Sequence, residues 1–140
     1  MSVVLDRNMI SSIIPEARLV ALHAKVDALR MSYTYTQADV RAVELEIERL
    51  FNQSSVHDDH LDRHPDAAKS YLSSLDAVMA LVDEFLPDCG VNFHAGPVYG
   101  ASVGLHKRTP TYAQGPNRAW ALMLAMMDEI ILRFATGFWR

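Results

Sequence analysis

Cysteine occurs once in the chain, at Cys89, so neither an internal disulfide nor a zinc site built from several thiolates can form. That usage fits a reducing compartment, and the cytoplasm is the expected location. Basic charge is also short. Thirteen Lys and Arg face 17 Asp and Glu for a formal charge of −4, which lacks the positive surface that a phosphate backbone needs. Nucleic acid is therefore not an expected partner. The most apolar stretch, Ala119 to Leu132, is interrupted by Asp128 and Glu129 and falls short of the ~20 residues of a membrane span. No membrane contact is expected, and no secretory leader, because the first residues carry neither a positive cluster nor a long apolar core. Two metal-enzyme patterns are missing as well: the Glu-x-x-His pairs of di-iron helical bundles and the His-Glu-x-x-His of zinc proteases.

What the chain does have is apolar side chains at helical pitch, in 140 residues of which 50% are hydrophobic, a size and composition that suit one domain over 1–140. Pro15 fits the first turn of a helix running on to Met31. This helix has two apolar stripes, Leu19, Leu22, Val26 and Leu29 on one side and Ala17, Ala21, Ala24 and Ala28 on nearly the opposite one. A helix apolar on two faces is covered on both, either at the centre of the fold, the preferred reading, or by a second subunit. Thr36 caps a second helix with Val40, Val43, Ile47, Leu50 and Phe51 inward and Arg41, Glu44 and Glu48 on the wet side. A third is expected from near Pro65, carrying Tyr71, Leu75, Val78, Val82 and Phe85, and a fourth from near Pro116, carrying Trp120, Met123, Met127, Ile130 and Phe134. The expected fold is all-α, a bundle of about four helices with one long glycine-rich connection between the third and fourth.

That connection, Pro87 to Gly115, is longer than the ~12–15 residues that structureless loops normally reach, so it is functional or hides a short helix or hairpin. Within it, Gly96, Gly100 and Gly104 permit close approach of a ligand while His106, Lys107 and Arg108 supply positive charge. With His94 and Tyr99 they form the candidate site for an anionic ligand. Cys89 and His94 suggest a nucleophile and base, but no third group completes them.

The other candidate is the run Val56 to Asp66. If Ser55 caps a short helix, His57, His60 and His64 share one face, and with Asp66 they offer imidazole and carboxylate ligands to zinc or a similar divalent ion. Pro65 works against this by disfavouring a helical conformation at His64. No cofactor is otherwise implied. The chain ends on Phe138 and Trp139, two aromatic side chains that a small domain has difficulty covering. Together with the alanine stripe they favour a non-enzymatic, self-associating interaction protein, a homodimer, over a metal-binding protein or metal-dependent hydrolase built on the histidines.

Overall fold

The structure, a computed structural model, describes residues 14–32, 34–94, 96–105 and 109–136. Helix α1 (Glu16–Met31) follows Pro15 and buries Leu19, Leu22 and Val26. Helix α2 (Gln37–Phe51) begins with a complete capping box: the Thr36 hydroxyl accepts from Asp39 N–H while the Asp39 carboxylate accepts from Thr36 N–H. Ser54, one residue before the expected cap, opens α3 (Ser55–Arg63) by accepting from His57 N–H. The proline at 65 takes His64 out of helical conformation (φ −135°) and starts a single 3₁₀ turn, Pro65–Ala67. The chain then turns through Tyr71 and Leu72, both buried, before Ser74 caps α4 (Leu75–Phe85). The helix expected from Pro65 therefore starts ten residues later, because Tyr71 and Leu72 are buried from a turn rather than from a helix face.

The expectation of an all-α bundle is overturned by the segment from Pro87 to Gly115. It forms β1 (Gly90–His94), β2 (Tyr99–Gly104) and β3 (Thr111–Gly115), an antiparallel meander in the order β1-β2-β3. The fold is thus mixed, with helices and a three-stranded sheet. Val91 pairs with Val103, Phe93 with Ala101 and Ala101 with Ala113, which puts these residues on one face. Asn92, Ser102 and Tyr112 fall on the other with His94 and Gln114. Ala101 and Val103 are fully buried, and the Thr111 hydroxyl donates to Glu129 at 2.7 Å, so the first face is turned inward. On the outer face the ring of Tyr112 lies over Gly100, where a Cβ atom would sit 2.5 Å from the Tyr112 hydroxyl.

Helix α5 (Arg118–Thr136) packs against β2 and β3 on one side and against α1 and α4 on others. Asn117 caps it by accepting from Trp120 N–H at 2.9 Å. Residues 119–127 are buried without a break, the pattern of a helix enclosed on all sides. Such enclosure brings the chain very close: at Gly115 a Cβ would stand 2.8 Å from Ala121 N. The central helix of the fold is α5, not α1 as the two-striped pattern suggested. Helix α1 lies against α2 and α5 at the periphery, clamped to α5 by a 2.7 Å contact between His23 Nε2 and Asp128. That bond outweighs the opposing effect of burial and raises the affinity of His23 for its proton.

Candidate functional site

Where α2 ends, α3 begins and α4 passes behind, an open cleft of about 770 Å³ is lined by Glu48, Asn52, His57, Lys69 and Glu84, among others. Its centre is Glu48, which is 3% exposed although the helical pattern placed it on the wet side of α2. One carboxylate oxygen accepts from Lys69 N–H at 3.0 Å and from the Tyr71 hydroxyl at 3.1 Å. The other accepts from the Asn52 amide and faces His57 Nε2 at 3.2 Å. Burial pushes the Glu48 carboxyl up, but these four donors outweigh it and hold the group below the usual carboxylate range. Burial beside this charge drives the Tyr71 phenol well above its ordinary value.

Glu44, one turn earlier, is 1% exposed; it accepts from Leu72 N–H at 2.9 Å and pairs with Arg41 at 2.7 Å. The reading of Glu44 and Glu48 as solvent-facing is corrected by the turn at residues 69–72, which lies across α2 and presents backbone N–H groups that need acceptors. Burying two carboxylates is the cost of satisfying them. Glu44 and Glu48 are four residues apart on one face of α2, but that spacing alone does not report the turn that covers them.

Chemically, an ionised carboxylate only accepts, so the His57 nitrogen facing it carries the proton and the imidazole is fixed in orientation. With four donors on its two oxygens, Glu48 itself is saturated and is not a free general base. Of the four residues expected to bind metal, His57 is committed to Glu48. His60 and His64 meet with their rings tilted by 47° and 5.1 Å between centroids, and Asp66 lies in the 3₁₀ turn. Among the described residues no three His, Cys, Asp or Glu side chains converge to hold a metal ion.

In the candidate anion site, His94 bonds Ser102 at 3.1 Å and meets the Tyr112 ring edge-on at 5.2 Å, on the outer face of the sheet. Tyr99 is 51% exposed and alternates to the inner side. His106, Lys107 and Arg108 lie outside the described residues. The space at Gly100 and Gly104 is taken by Tyr112 and Pro110 of the chain itself.

Cys89 belongs to a different network, centred on Arg133 of α5. Arg133, 2% exposed, donates to Glu129 at 2.8 Å, to Asp88 at 3.3 Å and to the Cys89 sulfur. Burial dominates the thiol, and although Arg133 pulls the other way, Asp88 and Glu129 help to push it up to about 12. His94 is engaged with Ser102, so a Cys–His pair is not what this geometry builds. Alkylation of Cys89 by iodoacetamide at about pH 8 is expected to run at least ~10-fold slower in the folded protein than in urea, the greater nucleophilicity of a basic thiolate returning part of the loss. Equal rates would show that the network does not hold the thiol protonated.

The stripe of α1 that is not spent on the core is open. Ala17, Ala21, Ala24 and Ala28 are all exposed, as are Val20 (45%) and Met31 (63%) beside them. At ~100° per residue these six side chains form one band about 160–180° around the helix from Leu19, Leu22 and Val26. Ala17, Ala21, Ala24, Ala28 and Met31 follow one another at alternating steps of four and three, the spacing of a helix–helix seam. Arg18 and Lys25 run along one border and Glu16 and Asp27 along the other. Phe138 and Trp139, expected to join this surface, lie outside the described residues. Among those residues no helix is long and apolar enough to cross a membrane. No protein-family model matches the chain, and no curated protein or solved structure shows significant similarity to it.

Proposed function

We propose that the protein is a non-enzymatic interaction module that self-associates through α1. The observation that carries this reading is the uncovered apolar band Ala17, Val20, Ala21, Ala24, Ala28 and Met31, set opposite the buried face of the same helix. Alanine at the seam lets two backbones come close, and the spacing is that of side chains meeting across a helix pair. The borders select the arrangement. A two-fold axis parallel to the helices sets the basic border of each copy over the acidic border of its partner, whereas an antiparallel pair sets like charges together. The expected assembly is therefore a parallel α1 pair. The buried acids and Arg133 support this reading from the other side, since their hydrogen-bonding capacity is largely used within the fold.

Light scattering at micromolar concentration is expected to show self-association of the full chain. Ala24→Glu, at an exposed helical position that costs the monomer little, is expected to weaken the α1 pair by about 100-fold or more because it brings two carboxylates into the seam. A variant that folds normally yet associates as the parent does overturns the role of α1, and a parent chain that is strictly monomeric overturns self-association altogether.

A further inference from the structure

The two edges of the sheet are treated differently. Beyond β3, helix α1 stands across a hollow of about 270 Å³ lined by His23, Asp27, Arg30, Tyr112 and Gln114. Among the described residues strand β1 pairs with β2 alone, and four of its five residues are exposed. Soluble proteins usually blunt such an edge with lysine, proline or a bulge. β1 reads Gly90-Val91-Asn92-Phe93-His94, with no charged residue, no proline and a regular register over its whole length. Helix α5 packs beneath β2 and β3, and β1 overhangs it. Val91 is half-buried there, Phe93 is 39% exposed, and the Arg118 guanidinium from the first turn of α5 lies 5.8 Å from the Phe93 ring.

We infer that β1 is a second self-association surface, at which β1 of another copy adds antiparallel about a two-fold axis through Asn92 and joins two three-stranded sheets into one of six. The strand is its own complement in that register. Val91 stands opposite the partner's Phe93 on the inner face, an aliphatic–aromatic pair that covers the overhang from both sides. His94 stands opposite the partner's Gly90 on the outer face, where the missing side chain leaves room for the imidazole. Asn92 meets the partner's Asn92 on the axis, and no like charges oppose each other anywhere along the pair. A shift of one residue in register sets apolar against polar side chains, so the two-fold arrangement is the one the sequence favours. This surface is independent of α1: it rests on a different element and forms whether or not α1 pairs. With both surfaces in use, the chain assembles beyond a dimer.

The test uses sedimentation of the full chain in the Ala24→Glu background, where association through α1 is suppressed. Ala24→Glu alone is expected to remain dimeric at about 100 µM. Adding Asn92→Lys or Asn92→Glu sets like charges across the axis and is expected to weaken that dimer at least ~10-fold. An equimolar mixture of the Lys and Glu variants is expected to pair again, because only a two-fold contact at residue 92 makes the two charges partners. Asn92 is exposed, and circular dichroism of each variant verifies its fold. A folded Ala24→Glu chain that is monomeric at that concentration overturns β1 pairing and leaves the α1 reading standing. A dimer that ignores both Asn92 substitutions, or is not restored by mixing, overturns β1 pairing as well, including the outcome in which the edge takes an unrelated extended peptide.

Discussion

Arg133→Ala is expected to lower the unfolding free energy by about 3–5 kcal/mol in a urea titration at neutral pH. The guanidinium is 2% exposed and holds together three parts of the chain: Glu129 of α5, Asp88 and Cys89 of the corner before β1, and, through Glu129, Thr111 of β3. Among the described residues, removing it leaves the Glu129 carboxylate, 1% exposed, with the Thr111 hydroxyl and no ion-pair partner. Most of the expected loss is this stranded charge and not the missing contacts. Arg133→Met combined with Glu129→Leu separates the two, since replacing a buried ion pair by apolar side chains of similar volume is often neutral. The double variant is expected to recover at least half of the loss. If it is as unstable as Arg133→Ala, packing around the guanidinium and not charge pairing holds this corner.

The corner also shows where the sequence was legible and where it was not. Helical pitch in apolar residues located α1, α2 and α5 to within a few residues, because each has a face that must be buried and a start marked by Pro15, Thr36 or Pro116. The sheet was hidden by its composition. Its inner face is built from Ala101, Val103, Ala113 and Val91, and its strands are interrupted by Gly100 and Gly104, so alternation is weak in each strand even though the three together close one side of α5. Polar residues were misread for a related reason. Periodicity says which face of a helix is apolar, but not which polar residue an incoming turn will cover. Glu44, Glu48, Glu129 and Arg133 are buried by segments distant in sequence, and no local pattern reports that. The alanine band of α1 was visible in the sequence as a second apolar face. That it stays uncovered follows from α5 taking the central position.

Glu48→Gln is expected to cost about 2–4 kcal/mol, because it turns an acceptor of four hydrogen bonds into a group whose NH₂ points at donors. The side chain keeps its size, so the loss reports the charge and its hydrogen bonds and not packing: the Lys69 N–H, the Tyr71 hydroxyl, the Asn52 amide and the His57 ring cannot all be satisfied by an amide. Acid titration gives an independent check. The Glu48 carboxyl is held below its ordinary value of 4.5 in the folded chain, so the unfolded chain binds its proton first as the pH falls. The stability Glu48 contributes is therefore complete above that value and is lost progressively as the pH falls through the depressed folded value. Parent stability is expected to decline from about pH 5 downward more steeply than that of Glu48→Gln, so that the gap between the two narrows as the pH falls. Parallel curves across that range would mean that Glu48 takes up its proton at the same pH folded and unfolded, and that the four donors do not hold it as an anion.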